Sequence, residues 1–160
     1  MIRWLWLSLL VILLDQSSKQ LVESMLTLYE SVRVAPFFDL TLLYNKGAAF
    51  SFLSDQSGWQ RWFFVALASG VSLGLTVWLY RLSAAEKWVA VAVSLIIGGA
   101  IGNVIDRVLF GQVIDFLHFH IDQHYWPAFN IADSAITLGV GLMIFDALVL
   151  AKKRDLNSET

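Results

Sequence analysis

The stretch W-V-A-V-A-V-S-L-I-I-G-G-A-I-G-N-V-I, residues 88–105, contains no charged side chain. About 20 consecutive apolar residues in a helix cross the hydrocarbon core of a bilayer, so this stretch is long enough to be a transmembrane helix. The whole chain of 160 residues is 58% hydrophobic and only 15% charged. Soluble domains contain about 25% charged residues, and the composition therefore indicates a membrane protein.

Three further apolar segments accompany this one. We predict a single domain, residues 1–160, whose four transmembrane helices lie near residues 4–22, 60–80, 88–107 and 129–151, joined by outer loops 23–59 and 108–128. The first segment is interrupted by Asp15 and Lys19, which share a helix face and can neutralise each other. The alternative for this segment is a secretory signal peptide beginning at Arg3, but no A-x-A cleavage site follows it.

The positions of lysine and arginine predict the direction of the helices, because these residues concentrate in cytoplasmic loops. Arg3 precedes the first helix, Arg81 and Lys87 flank the loop between the second and third, and residues 152–154 are all basic. Residues 109–128 contain no lysine or arginine. We therefore expect both termini in the cytoplasm.

The first outer loop has a composition typical of strands and turns. Residues 32–52 mix β-branched and aromatic side chains with Pro36, Asn45 and Gly47. Such a sheet would lie on the membrane surface, where it would either help to hold a lipid-bearing substrate or act as a passive cap. The predicted fold is an all-α membrane protein of four transmembrane helices with a small extracytoplasmic β-rich loop region.

Unusual polar residues fall at the predicted outer ends of the helices. They are Asp15, Lys19, Asn45, Asn103, Arg107, Asp115, Asn130 and Asp133. A carboxylate within the membrane costs about 2.5–3.5 kcal/mol on insertion scales, and chains that keep one usually move ions or protons or do chemistry with it. Interhelical hydrogen bonding explains some of the serines and threonines, but it explains this polar layer poorly.

Asp115 and Asp133 are the candidates for acid–base chemistry in this layer. Two carboxylates that share a site can split their pKa values, so that one stays ionised while the other keeps its proton. Such a pair is suited to hydrolysis of a peptide bond. The rival function is a small proton-coupled transporter, which would need polar residues along a whole pathway. The predicted cytoplasmic halves of the helices are nearly bare of them.

Other chemistries find weaker support. G-V-S-L-G at residues 70–74 matches the nucleophile elbow of serine hydrolases, but it lies inside a predicted helix, where Gly70 and Gly74 are more simply a helix-packing face. Gly98 and Gly102 repeat this spacing. A serine–lysine pair would need the serines next to Lys19 on the lysine's own helix face.

The three histidines, His118, His120 and His124, permit a metal site on an extended strand, although exposed loop histidines are the commoner explanation. We predict no metal and no cofactor. The net charge of −2 argues against a nucleic-acid partner, and the absence of cysteine removes thiol catalysis and disulfides.

Five sequence blocks resemble the lipoprotein signal peptidase family, also called signal peptidase II. The blocks are D-Q-S-S-K at 15–19, N-K-G-A-A-F-S-F at 45–52, G-G-A-I-G-N-V-I-D-R at 98–107, V-I-D-F at 113–116 and F-N-I-A-D-S at 129–134. The resemblance implies a four-helix aspartic peptidase of the bacterial cytoplasmic membrane, with its active site near the outer leaflet. Its substrates would be prolipoproteins, cut on the N-terminal side of a diacylglyceryl-modified cysteine.

The resemblance also implies roles for individual residues. Asp115 and Asp133 match the catalytic pair. Seven further residues match positions that shape and support the site, namely Asp15, Lys19, Asn45, Gly47, Asn103, Arg107 and Asn130. The expected partners are the lipidated precursors, membrane lipids and globomycin-type inhibitors, which occupy the same site. The segment around Phe50 and Phe52 is expected to close over the substrate.

Overall fold

A computed structural model describes residues 1–47 and 58–150 of the chain. These residues form four long helices and a small sheet. The helices are α1 (Leu5–Met25), α2 (Trp59–Arg81), α3 (Lys87–Phe110) and α4 (Ile131–Phe145). The strands are β1 (Ser31–Ala35), β2 (Phe38–Asn45), β3 (Val113–Ile121) and β4 (His124–Tyr125). A 3-10 turn (Ile2–Trp4) precedes α1, and a π-helical turn (Asp146–Leu150) continues α4.

The four helices, with their flanking turns, are long and apolar enough to cross a membrane. The predicted fold class is thereby confirmed, with small differences at the helix ends. α3 ends at Phe110. The next residue, Gly111, caps the helix with a φ of 79°, which lies in the left-handed region that glycine adopts without strain. α4 begins at Ile131 because Asn130 before it has extended backbone and caps the helix.

α3 is the central helix. In the most apolar stretch of α3, 67% of the residues are buried, against 11% in the corresponding stretch of α2. Glycine allows this close packing: a Cβ on Gly98 would lie 2.8 Å from Val11 Cβ, and one on Gly102 would lie 2.7 Å from an oxygen of Asp15. The predicted packing face of α3 is therefore confirmed. The similar face of α2 is not, because nothing in the described chain lies within 4 Å of a Cβ added at Gly70 or Gly74.

An apolar cluster joins α2, α3 and the start of α1 at the bundle end away from the sheet. Its buried members are Leu79, Leu82, Val89, Ala90, Val93 and Ile97. Met1 and Trp4 pack against it from the N-terminus of the chain. Burial of these side chains holds the helices together at this end.

The sheet is antiparallel, with its strands in the order β1-β2-β3-β4. β1 and β2 confirm the β-rich region predicted in the first loop. β3 differs from the prediction, which has only a loop at residues 108–128. Its first four residues are all buried. Ile114 and Phe116 of β3 pack with Leu42 of β2 and with Val22 of α1, and this contact attaches the sheet to the bundle.

Some predictions fall outside the described residues. Phe50 and Phe52, expected to close over a substrate, lie in the segment 48–57. The basic residues 152–154 lie in the segment 151–160.

Candidate active site

Asp115 is held in the interior by the pairing of β2 and β3. Leu43 is its partner in the register, and Asn45 lies opposite Val113. Asn45 Nδ2 donates to Asp115 Oδ2 at 3.0 Å, and Asn130 Nδ2 donates to Oδ1 at 2.7 Å. The side chain is only 3% exposed. Burial, and then the negative charge of nearby Asp133, raises the pKa of Asp115 from 3.8 to about 7 despite both hydrogen bonds.

Asp133 lies in the first turn of α4. Its backbone N–H donates to Oδ1 of Asn130, the N-cap residue, at 2.9 Å. Its carboxylate accepts from Asn103 Nδ2 at 2.8 Å. The N-terminus of a helix carries a partial positive charge, which favours a carboxylate at this position. Asp133 is therefore oriented by one asparagine through its backbone and by another through its side chain.

Asn130 connects the strand to the helix and is fully buried. Besides its bond to Asp115, its Nδ2 donates to the backbone oxygen of Ile114 at 3.1 Å. The same side chain caps α4 through Oδ1. One amide thus contacts the segments that carry both candidate catalytic aspartates.

A buried ion cluster lies beneath this pair. Lys19 Nζ is 2.7 Å from Asp15 and 2.8 Å from Asp106, and all three side chains are 0–1% exposed. The predicted pairing of Asp15 with Lys19 is confirmed. Lys19 also donates to Asn103 Oδ1 at 3.2 Å, so the cluster reaches Asp133 through one amide.

Asp106 is a site residue that the sequence analysis missed. Asp106 lies in the block 98–107, and neither the polar layer nor the resemblance assigns it a role. Its charge in a largely apolar helix, between Asn103 and Arg107, was an available signal. Gln16 Nε2 also donates to Asp106, at 2.8 Å, and this contact was equally unforeseen.

Arg107 joins the end of α3 to the turn after β2. Its guanidinium donates to the backbone oxygens of Asn103 at 3.2 Å and of Gly47 at 3.1 Å. The Gly47 N–H donates in turn to Asn45 Oδ1 at 3.0 Å. The guanidinium also lies over the ring of Phe64, 5.2 Å from its centroid. The structure therefore brings Asn45, Gly47 and Arg107 together with the aspartates.

Both aspartates line one cavity of about 1260 Å³. Asn45, Asn103 and Arg107 supply further polar groups to its wall. The remaining lining is largely apolar and aromatic, including Leu43, Val113, Trp126, Phe129, Ile136 and Leu138. A cavity of this character suits an amphipathic ligand whose polar part lies against two carboxyl groups.

The other candidate chemistries lack supporting geometry. Across residues 1–47 and 58–150, no group of three or more His, Cys, Asp or Glu side chains could hold a metal ion. His120 lies 3.4 Å from Asp39, and the ring of His118 packs against that of Tyr125, with centroids 4.9 Å apart and the planes tilted by 38°. Ser72 lies in the interior of α2, as the sequence predicted, rather than on a strand-to-helix turn.

Comparison with known proteins gives a consistent result. The family model described as signal peptidase (SPase) II matches residues 7–149. A lipoprotein signal peptidase of Aeromonas hydrophila is 51% identical over 155 residues, which is 96% of this chain and 93% of that protein. The lipoprotein signal peptidase of Yersinia enterocolitica is 53% identical over 148 residues, covering 92% of this chain and 88% of the relative.

Solved structures match as well. A bacterial membrane enzyme determined by the in meso method at 2.3 Å resolution superposes with a TM-score of 0.80 and 34% identity, over 91% of this chain and 87% of that one. A second such structure, at 1.9 Å resolution, gives a TM-score of 0.78, also with 34% identity, over 92% of each chain.

Proposed function

Because this chain belongs to the signal peptidase II family, we propose that it is an aspartic endopeptidase that removes the signal peptide from prolipoproteins. Family membership makes it a protease, and together with the four apolar helices it makes it a protein of the bacterial inner membrane. The scissile bond would lie on the N-terminal side of a diacylglyceryl-modified cysteine. The observation that carries the proposal is the placement of Asp115 and Asp133 on one cavity, both contacted by Asn130.

In the proposed mechanism Asp133 begins as the base and Asp115 as the acid. Asp115 is buried, and its pKa of about 7 keeps a proton available near neutral pH. Asp133 accepts from Asn103 at the N-terminus of α4, where a negative charge is favoured. Asp115 therefore holds the proton that the acid must give, and we assign the role of base to Asp133.

The reaction then proceeds in two steps. A water attacks the scissile carbonyl carbon while Asp133 takes a proton from that water and Asp115 gives its proton to the carbonyl oxygen. The resulting tetrahedral diol collapses as the carbon–nitrogen bond breaks. Asp133 returns its proton to the leaving nitrogen, and Asp115 recovers one from a hydroxyl group of the diol. Both carboxyl groups end in their starting states.

Among the three asparagines, Asn45 is placed best to contact the substrate backbone. Asn130 is fully buried and its amide is engaged with Ile114 and Asp115. Asn103 is bonded on both ends of its amide, to Lys19 and to Asp133. Asn45 is also bonded on both ends of its amide, to Asp115 and to the Gly47 N–H, but it lines the cavity and is more exposed than either of the other two asparagines. We assign Asn103 and Asn130 to orientation of the aspartates.

The apolar part of the cavity would receive the lipid. Each acyl CH₂ buried in the membrane contributes about 0.8 kcal/mol to binding. Two acyl chains would therefore hold the scissile bond at the depth of the aspartates. Globomycin-type inhibitors and membrane lipids would compete for the same space. We further propose that both termini lie in the cytoplasm and that the sheet end of the bundle, with the site, lies near the outer leaflet.

The test compares two synthetic precursor peptides with the purified protein in one bilayer system. One peptide carries a diacylglyceryl cysteine and the other an unmodified cysteine, at equal membrane-bound concentration. We expect the lipidated peptide to be cut before the cysteine and the unmodified one far more slowly. Equal rates would remove lipid recognition from the proposal. Absence of cleavage of either peptide would overturn it and would favour a transporter.

A further inference from the structure

The ion cluster of Asp15, Lys19 and Asp106 contacts more than its own members. Asp15 Oδ1 accepts from the backbone N–H of Ala132 at 2.9 Å, and Asp106 Oδ2 accepts from that of Ile114 at 3.3 Å. Ala132 directly precedes Asp133, and Ile114 directly precedes Asp115. Each carboxylate of the cluster therefore accepts from the backbone N–H of the residue immediately before one of the two candidate catalytic aspartates.

Lys19 connects these two contacts. Its Nζ lies 2.7 Å from the second oxygen of Asp15 and 2.8 Å from Asp106 Oδ2. The path from the N–H of Ala132 to the N–H of Ile114 thus runs through three side chains that are 0–1% exposed. Charge-assisted hydrogen bonds of this kind are short and directional, and screening by solvent is weak at such burial.

We propose that Asp106 is a positioning residue that, with Asp15 and through Lys19, sets the separation of Asp115 and Asp133. The proposal rests on the function proposed above for that pair. β3 and the start of α4 are already joined on one side by the Asn130 side chain and by backbone hydrogen bonds between Phe129 and Leu117. The ion cluster adds a second directional link between the two segments, from α1 and α3, and a shared proton needs its two carboxyl groups held within a narrow tolerance. Gln16, which donates to Asp106 Oδ1 at 2.8 Å, fixes the orientation of that carboxylate.

The test exploits the absence of cysteine from this chain. Asp115→Cys and Asp133→Cys are combined, and the two thiols are treated with dibromobimane, which becomes strongly fluorescent only after alkylating two neighbouring thiols. The cross-linking rate is divided by the rate of alkylation with monobromobimane. The ratio then reports the separation of the two positions rather than their exposure, and it needs no catalytic activity.

Two substitutions at Asp106 are compared in this background. Asp106→Asn keeps an acceptor for the Ile114 N–H but loses the charge facing Lys19, whereas Asp106→Ala loses both. We expect the cross-linking ratio to be highest with Asp106, lower in Asp106→Asn and lowest in Asp106→Ala. The fall in Asp106→Ala should be about tenfold, since a displacement near 1 Å has large effects on reactions between paired groups. Circular dichroism establishes that each variant is folded, and the Asn variant keeps the test decisive if the Ala variant is not.

Asp39→Asn is the matched control. Asp39 is also a buried carboxylate, it lies in the neighbouring strand β2, and its ionic contacts are to Arg33 and His120. The control should leave the cross-linking ratio unchanged. An equal fall in the control, or no fall at Asp106, would overturn the proposal.

A parallel measurement of cleavage separates this proposal from the function on which it rests. With the aspartates restored, Asp106→Asn should lower kcat by about 10- to 100-fold with little change in KM, because the substrate still binds to a displaced pair. An unchanged kcat would contradict the positioning role. If the unsubstituted chain cuts no lipidated precursor while the cross-linking ratio still falls, the proposed function fails and the positioning role stands.

Discussion

At the bundle end away from the sheet, Leu79, Val93 and Ile97 hold α2 against α3 through apolar burial. At the sheet end, Lys19 is buried between Asp15 and Asp106 beside a layer of asparagines. Apolar contact is non-directional, so the first end keeps helices adjacent without fixing individual atoms. The second end fixes individual atoms through short polar contacts. The difference indicates that one end of the small bundle holds the helices together, while the other end positions individual side chains.

The largest effect should follow from changing the aspartates themselves. Asp115→Asn or Asp133→Asn keeps the side-chain shape but removes the proton transfer, and we expect cleavage of a lipidated precursor to fall by about 10²–10⁴-fold. The double variant should lose little more than either single one, because the pair acts as a unit. Circular dichroism and gel filtration in detergent would show that the variants are folded. Substantial turnover by either single variant would remove the dyad assignment.

The next effect concerns Lys19 and contrasts the two ends directly. Lys19→Met leaves Asp15 and Asp106 buried without their cation, and we expect a loss of about 3–5 kcal/mol in unfolding free energy. Leu79→Ala at the other end should also destabilise, by about 2–5 kcal/mol. Only the lysine variant should lower kcat per folded molecule. Chemical unfolding measures the free energy of unfolding, and single-turnover cleavage measures the rate per folded molecule. A lowered rate for Leu79→Ala would contradict the proposed difference between the two ends.

A smaller effect separates the central helix from the peripheral one. Gly98→Ala places a Cβ 2.8 Å from the backbone oxygen of Ser8, so α1 and α3 must move apart, at a cost of about 1–3 kcal/mol. A Cβ at Gly74 meets no atom of residues 1–47 and 58–150 within 4 Å, so Gly74→Ala should be neutral or slightly stabilising, since alanine favours helix. Thermal unfolding of the two variants decides this, and equal destabilisation would contradict the packing described for α3.

The last contrast is a pH dependence that arises at the sheet end. Because the pKa of Asp115 is raised from 3.8 to about 7, its folded-state proton is present below pH 7 and lost above it. As the acid, Asp115 should make kcat fall about tenfold per pH unit above 7.

The same shift makes the folded protein bind this proton more tightly than the unfolded chain does, so stability should fall as pH rises from about 4 to 7. Thermal unfolding across this window should show the decline in the unsubstituted protein and less of it in Asp115→Asn. An identical decline in both would show that another group is responsible.

The helices could be predicted from the sequence because an uncharged run such as 88–105 has few alternative structures. Most residues of the candidate site could be predicted because charges within apolar helices are conspicuous. Sequence reasoning missed β3, since V-I-D-F-L-H-F-H-I is buried on both sides at its start and does not alternate as a half-buried strand does. It missed Asp106 for a different reason: the partners of a buried carboxylate, here Lys19 and the N–H of Ile114, depend on which helices pack together.

Asn130 illustrates how few side chains can occupy one position of such a site. The position requires an oxygen acceptor near the backbone to begin α4, and also a donor for Asp115 and for the Ile114 carbonyl. Serine or aspartate would begin the helix but supplies no comparable amide donor, and glutamine carries the donor one carbon too far. Of the twenty side chains only asparagine meets both demands. Mutational tolerance at this position should therefore be close to nil, although the mechanism proposed above gives Asn130 no part in the reaction itself.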